Sequence, residues 1–247
     1  MQISREDRVR MERAHVHAWP ASDTADIDGW LWRASGGGSH RANSVSTIDF
    51  HGCSPAAAIE TVEARYSARG ARSQFQTFDE SSPEGLPDLL RDRGYTPGGG
   101  TITMFKRLAA VSADNAEVEW RDHAWDEWQH VYLGEITENR RAVNQMILAR
   151  VPAPRAFFGY RRGGEIVATA LCVIGFGCAV VECVTTRADM RRQGAAQCVL
   201  VALEAWAARQ AADLIGLQVV ADNLPAIALY ERCGFVAGAR NEFWVND

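Results

Sequence analysis

Apolar and polar residues follow their clearest pattern in the second half of the chain. Over 124–136 and 139–151 the apolar side chains recur at helical spacing, which predicts two short helices. A short strand is predicted before them, over 116–120. The segment 155–186 is rich in apolar and β-branched residues and contains two glycine turns, and it is typical of a β-meander.

The pattern continues towards the C-terminus. A long apolar helix is predicted from Gly194 to about Gln210, followed by a buried strand over 214–220. Pro225 then suits the first turn of a helix, and Gly234 suits the residue just beyond its end. The sequence ARNEFWV predicts a closing strand.

The first half repeats part of this order. A helix, a strand and a short helix are predicted over 58–97. Gly94, at the end of that short helix, precedes Gly234 by 140 residues, and each glycine is followed by an aromatic residue. Val62–Ala64 precedes Leu203–Ala205 by 141 residues. These offsets predict an internal duplication, although the identities are few and chance similarity stays open.

The small, polar segment 108–117 separates two strand-like runs and suits a linker. It divides the chain into two predicted domains, 1–112 and 113–247.

Composition excludes some classes of protein. Of 247 residues, 47% are hydrophobic and 23% are charged, which is ordinary for a globular chain. No apolar run approaches the ~18 residues of a membrane span, and the charged N-terminus lacks a signal-peptide core. We therefore expect a cytoplasmic protein with no membrane partner. A net charge of −5 argues against a nucleic-acid partner.

Cysteine and histidine usage predicts no metal site. The six cysteines form no C-x-x-C pair and mostly lie in apolar runs, so buried, reduced thiols are expected. His15 and His17 are two residues apart with no third ligand nearby, which makes zinc an unfavoured alternative.

The hexapeptide Arg191–Ala196 carries the strongest chemical signal. It follows a predicted strand and opens a helix, whose first turn offers unpaired N–H groups and a partial positive charge. Gly194 has no Cβ to block the approach of a phosphate, and Arg191 and Arg192 add positive charge. This loop suits a pyrophosphate; a basic helix N-terminus with small packing residues is the alternative.

The order of motifs around this loop resembles the GNAT superfamily of acyl-CoA N-acyltransferases over residues 116–247. The resembling segments are VECVTT, RRQGAA, LIGLQVV and N-x-x-A-x-x-L-Y-x-x-x-G-F. The family often has Val-x-Pro where this chain has Thr-Arg-Ala, at 186–188. The resemblance implies an α/β (α+β) protein with two GNAT-like halves. Each would be a mixed, mostly antiparallel sheet flanked by helices, with splayed central strands in the C-terminal half.

The resemblance also implies a co-substrate, acetyl-CoA, and no metal. The backbone of Val184, Thr185 and Thr186 would bind the pantetheine arm. The loop residues Arg191, Arg192, Gln193, Gly194, Ala195 and Ala196 would hold the pyrophosphate. Asn223 would bridge the splayed strands or touch pantetheine, with helix capping as an equal alternative.

Two residues are implied as catalytic. Tyr230 occupies the family's tyrosine position, where it would donate a proton to the coenzyme sulfur; a buried aromatic residue is the alternative. Glu182 matches a carboxylate that faces the acceptor amine in several members. Its apolar neighbours predict a raised pKa suited to a base, with a solvated residue or a substrate anchor as alternatives.

The first half lacks the phosphate loop and a tyrosine at the matching position, since Leu90 stands there. It resembles the degenerate half of tandem GNAT proteins and would shape the acceptor pocket. Arg41 and Asn43, on a predicted polar strand segment, are candidates to bind the acceptor. Trp125, Trp128 and Tyr132 are candidates for the acceptor wall, although helical spacing also suits the core.

The implied function is transfer of an acetyl group to a primary amine of a small molecule by direct attack. A protein or peptide N-terminal acetyltransferase and a non-catalytic acyl-CoA-binding module stay as alternatives. Either a monomer or a homodimer fits the sequence.

Overall fold

A computed structural model describes residues 2–108 and 117–246. Within these ranges the chain forms one eleven-stranded sheet with helices on both faces. The strands are β1 (Asp23–Ile27), β2 (Trp30–Ala34), β3 (Val45–Ser46), β4 (Gln74–Phe78), β5 (Thr96–Arg107), β6 (Val118–Arg121), β7 (Arg155–Arg162), β8 (Glu165–Gly175), β9 (Cys178–Thr186), β10 (Leu214–Val220) and β11 (Val236–Val245). The α-helices are α1 (Arg5–Ala18), α2 (Pro55–Ser67), α3 (Leu86–Asp92), α4 (Asp126–Gly134), α5 (Glu138–Leu148), α6 (Ala195–Arg209) and α7 (Leu224–Arg232).

These elements confirm the predicted order of the second half. The meander is β7, β8 and β9, joined by antiparallel pairing, and the two short helices before it are α4 and α5. The helix after Gly194 is α6, and the buried strand that follows is β10. The predicted linker lies mostly in 109–116, outside the described residues, so the domain boundary stays a prediction.

Both glycines that were predicted to end helices do so. Gly94 and Gly234 have left-handed φ values of 85° and 86°. The N–H of the aromatic residue after each glycine reaches back five residues, from Tyr95 to the Leu90 carbonyl and from Phe235 to the Tyr230 carbonyl, at 3.0 Å in both cases. Glycine adopts the left-handed backbone conformation more readily than any other residue, which explains why a glycine recurs before the aromatic residue.

The sheet is shared between the two halves rather than divided into two. Its strand order is β1-β2-β3-β4-β11-β5-β10-β9-β8-β7-β6. Thus β5, from the first half, lies between β10 and β11, while β11, from the second half, lies between β4 and β5. The last strand of each half therefore lies among strands of the other half. The long antiparallel strands β5 and β11 also pair with one another through most of their length.

Helices cover both faces of the sheet. One face of the second half packs against α6, through residues such as Leu200 and Leu203. The other face packs against α1, α4 and α5, which contribute Met11, Trp128 and Ile147. From Ala170 to Ile174, successive side chains of β8 alternate between these two clusters, as expected for a strand that is buried on both faces.

No helix among the described residues has the length and apolar character needed to cross a membrane. All six cysteines are free. Cys172 and Cys178 are buried as predicted, but Cys53 is exposed and the other three are half-buried.

Candidate active site

A cavity opens where β9 and β10 separate. The two strands pair in parallel only from Cys178–Val180 to Leu214–Gly216. Beyond that point β9 bulges: Glu182 pairs with Leu171 of β8 and Thr185 pairs with Thr169, which leaves two residues opposite one. Cys183, inside the bulge, has a left-handed φ of 55°. The predicted splaying of the central strands is therefore present.

The cavity has a volume of about 770 Å³ and is lined by both halves of the chain. The second half contributes residues of β9, β10, β11, α4, α5 and α7. The first half contributes Trp19, Gln74, Thr101 and six residues of the segment 37–43. Eight of the predicted site residues line it: Arg41, Asn43, Tyr132, Glu182, Val184, Thr185, Asn223 and Tyr230.

Arg41 and Glu182 form an ion pair across the two halves inside the cavity. The guanidinium Nη1 and Nη2 atoms donate to Glu182 Oε1 and Oε2 at 2.5 and 2.6 Å. The Arg41 guanidinium also lies over the Trp19 ring, 5.1 Å from its centroid. The prediction of a strand at Arg41 was wrong, because Arg41–Asn43 form a short 3₁₀ helix that directs the arginine towards β9.

The predicted raised pKa of Glu182 was also wrong. Burial raises the pKa, but the charge and hydrogen bonds of Arg41, with a smaller effect from His15, lower it to about 2. The His15 Nδ1 atom lies 3.7 Å from Glu182 Oε1. The apolar sequence neighbours of Glu182 suggested only burial, and its cation partner came from a segment 141 residues away.

Tyr230 is buried at the cavity wall, and its ring packs edge-on against Phe235. Burial raises the pKa of its phenol above the ordinary value, and the charge of Glu182 adds to this effect. The hydroxyl group is therefore neutral near pH 7, and it can donate a hydrogen bond or transfer its proton.

The backbone of β9 beyond Val180 has no strand partner on the side of β10. Val184 and Thr185 line the cavity there, and both are half-buried, as is Thr186. The Thr186 carbonyl accepts a hydrogen bond from Arg191 at 3.2 Å. An unpaired strand edge of this kind can bind an extended, amide-containing ligand.

The loop before α6 fits a pyrophosphate. Gly194 has a left-handed φ of 83°, and a Cβ at this position would meet no atom within 4 Å, so the approach to the helix end is open. The first bond within the helix runs from the Cys198 N–H to the Gly194 carbonyl, so the preceding N–H groups, from Ala195 and Ala196 onward, are available to a ligand.

The side chains of this loop differ in their partners. Arg191 pairs with Glu135 at 2.5 Å, and the Gln193 side chain accepts a hydrogen bond from Arg162 at 2.8 Å. Arg192 is exposed, with a left-handed φ of 59°, and makes no ion pair within the described part of the chain. The Arg192 guanidinium is thus available to bind an anion at this loop.

Asn223 and Asn43 both have local structural roles. Asn223 caps α7, accepting from the Ala226 N–H at 3.3 Å, so the helix-cap alternative is present. The Asn43 amide binds the loop before it, accepting from the Ser35 N–H at 2.7 Å and donating to the Ser39 carbonyl at 2.7 Å. Asn43 shapes the cavity by holding this loop.

The structure places Trp125 and Trp128 in the core rather than on the cavity wall. Trp128 is fully buried and donates from Nε1 to the Phe158 carbonyl at 2.9 Å. Tyr132, the third candidate on this helix, does line the cavity, and its hydroxyl group donates to Asn144 at 2.7 Å. Helical spacing identified the helix correctly but could not tell which turn reaches the site.

Sequence reasoning missed other residues of the site. Arg140 on α5 and Trp19 after α1 both line the cavity, and His15 on α1 lies behind Glu182. Arg140 and Trp19 belong to no motif, and His15 was considered only as a zinc ligand, so nothing in the sequence assigned these residues to the site. Among the described residues, no group of three or more His, Cys, Asp or Glu side chains could hold a metal ion.

Similar proteins agree with this geometry. A GCN5-related N-acetyltransferase from Kribbella flavida superimposes with a TM-score of 0.69 and 20% identity over 96% of this chain and 95% of its own. A tandem GNAT protein from the clavulanic acid biosynthesis pathway gives a TM-score of 0.62 and 13% identity, over 99% and 96% of the two chains. The fold is therefore that of GNAT acetyltransferases.

Sequence comparison identifies the family. The chain is 27% identical to the uncharacterized N-acetyltransferase YobR of Bacillus subtilis (strain 168), over 93% of this chain and 95% of that protein. A family model described as "Probable histone acetyltransferase Rv0428c C-terminal" matches residues 7–244. The protein belongs to this family and is an N-acetyltransferase of the GNAT type, as the sequence predicted.

Proposed function

We propose that this protein transfers an acetyl group from acetyl-CoA to the primary amine of a small molecule. The observation that carries the proposal is the cavity between β9 and β10, which has both Tyr230 and Glu182 on its wall, together with the loop after β9 that suits a pyrophosphate. A volume of about 770 Å³ lies in the range of small-molecule sites.

Acetyl-CoA would supply an acetyl group activated as a thioester. The N-terminus of α6, with Arg192 beside it, would hold the pyrophosphate, and the free edge of β9 at Val184 and Thr185 would bind the pantetheine amides. Asn223 would act mainly by capping α7, and so by positioning Tyr230 on that helix.

Two side chains of the cavity would transfer the protons. Tyr230, neutral near pH 7, would donate a proton to the departing sulfur. Glu182 is the one carboxylate among the described residues that line the cavity, and it would accept the proton from the acceptor amine. The low pKa of Glu182 makes it a weak base while Arg41 holds it.

A basic protein tail fits the cavity less well than a small molecule does. The family description names a histone acetyltransferase, and peptides stay an alternative acceptor. However, the cavity wall carries Arg41 and Arg140, and its single carboxylate is already paired with Arg41. This charge distribution disfavours a polybasic ligand. We also propose the cytoplasm as the compartment of the protein.

The proposal is tested by incubating the protein with acetyl-CoA and a panel of amines, and by measuring free thiol. Release of thiol that depends on a small amine supports it. Binding of acetyl-CoA without turnover of any amine would instead favour a non-catalytic module, and turnover of peptides alone would favour the peptide acetyltransferase.

A further inference from the structure

We propose that the acceptor is an amino acid whose carboxylate displaces Glu182 from Arg41, and that this exchange frees Glu182 to accept the amine proton. The inference rests on the proposed function and names the class of acceptor for the same site.

The first support is the accessibility of the two partners. The Arg41 side chain is 21% exposed, whereas that of Glu182 is 8% exposed, and both belong to the cavity wall. A ligand in the cavity can therefore reach the guanidinium group more readily than the carboxylate. A carboxylate ligand can replace both hydrogen bonds of Glu182, because an arginine presents paired N–H donors that match two carboxylate oxygens.

The second support is the surplus of positive charge. Arg140, on the same wall, has no carboxylate partner within the described ranges. Burial raises the pKa of the Cys183 thiol, and both Arg41 and Arg140 are close enough to oppose this shift. The two guanidinium groups thus act on the same part of the cavity, where a ligand carboxylate would be attracted and an additional cation repelled.

The third support is the cost of opening the pair in any other way. Removing one partner from a buried ion pair leaves an uncompensated charge and is strongly unfavourable. A neutral amine offers Arg41 no replacement for Glu182. A carboxylate does, and the ammonium group of the same amino acid can pair with the released Glu182, so the exchange leaves neither buried charge uncompensated.

The exchange has a chemical consequence. Once Arg41 is bound to the ligand, its charge no longer lowers the pKa of Glu182. Burial then raises that pKa, and Glu182 becomes a stronger base. The acceptor nitrogen then forms its bond to the acyl carbon as the carbon–sulfur bond breaks. The amine proton passes to Glu182, and the Tyr230 proton passes to sulfur, so charge and atoms balance.

The test compares each proteinogenic L-amino acid with its α-amide as acceptor. For the wild type we expect kcat/KM to be at least about tenfold higher for the preferred amino acid than for its amide, as expected for loss of a charged hydrogen-bonded contact. In Arg41→Gln this ratio should fall to near one. Arg13→Gln, which breaks the exposed pair of Arg13 with Asp49 elsewhere on the surface, should keep the wild-type ratio.

A binding measurement keeps the inference testable if Arg41→Gln does not fold. Glu182→Gln removes the competitor for Arg41, so in calorimetry with CoA present the preferred amino acid should bind several-fold more tightly than to the wild type, while kcat falls. Equal use of amides and amino acids, preference for basic peptides, or unchanged binding to Glu182→Gln would overturn the inference. Thiol release with neutral amines would in those cases still support the proposed function, whereas no release with any amine would overturn that function.

Discussion

Arg41 and Glu182, joined by hydrogen bonds of 2.5 and 2.6 Å, are 141 residues apart in the chain. The same offset relates Val62–Ala64 to Leu203–Ala205 in the predicted duplication. The elements agree in order from β1 and from β7 onward, since each half then has three strands, a helix, a strand, a helix and a strand. Arg41, however, lies in the 3₁₀ helix before β3, whereas Glu182 lies within β9, so the ion pair joins the two halves at places that do not match in the fold.

Breaking this pair from one side should destabilise the protein. Arg41→Gln leaves Glu182 buried without its cation, and we expect a loss of about 2–4 kcal/mol in the free energy of unfolding. The double variant Arg41→Gln with Glu182→Gln should recover part of this loss, because no charge is left unpaired. Urea unfolding of the two single variants and the double variant checks both statements; equal stability of the Arg41→Gln variant and the wild type would contradict them.

The same pair should make stability depend on pH in the acid range. The pKa of Glu182 is lowered from 4.5 to about 2, so the unfolded chain binds this proton more readily than the folded one. The contribution is complete above about pH 4.5 and is lost as the pH falls towards 2. In Glu182→Gln, the free energy of unfolding should therefore fall less steeply between these values than in the wild type. Parallel slopes would show that Glu182 carries no such contribution.

Replacing Tyr230 with Phe should affect turnover more than binding. The variant keeps the buried ring and loses only the hydroxyl group, so kcat should fall by about 10²-fold, while the dissociation constant of acetyl-CoA changes little. Tyr160→Phe is the matched control, because Tyr160 is also buried but does not line the cavity. Unchanged kcat in the Tyr230→Phe variant would remove this hydroxyl group from the proposed mechanism.

Gly194→Ala should weaken acetyl-CoA binding. The new Cβ lies at the open helix end where the pyrophosphate is proposed to bind, and the left-handed backbone costs about 1–2 kcal/mol as well. Gly163→Ala separates the two effects, since Gly163 has a φ of 60° and equally open surroundings but lies in the β7–β8 turn. Calorimetry should show weaker binding for Gly194→Ala alone; equal affinity in both variants would argue against this loop as the pyrophosphate site.

The shared sheet predicts that the halves depend on each other. A fragment ending at Leu108 lacks β11, which pairs with both β4 and β5. A fragment starting at Glu117 lacks β5, which separates β10 from β11. Each fragment alone should be unfolded by circular dichroism and amide exchange, and mixing or co-expressing both should restore structure. An independently folded fragment would show that the exchanged strands are not needed.

The sequence by itself determined the local structure, including the start of the helix after the proposed pyrophosphate loop. Gly94 and Gly234 marked helix ends because only glycine readily takes the left-handed conformation there. Arg191–Ala196 marked a phosphate-type helix end because its chemistry is contained in six consecutive residues. Apolar periodicity located α6 and β10 because this pattern, too, is contained in consecutive residues of the chain.

Only the tertiary structure decided which distant residues meet. In the folded protein, β5 and β11 each pair with strands of the other half, and Arg41 forms an ion pair with Glu182. Trp128 is buried in the core, whereas Tyr132 lines the cavity. The physical reason is that a pKa and a cavity wall depend on what lies nearby in space. The apolar neighbours of Glu182 in sequence indicated burial, but its protonation is governed by a guanidinium group from the other half of the molecule.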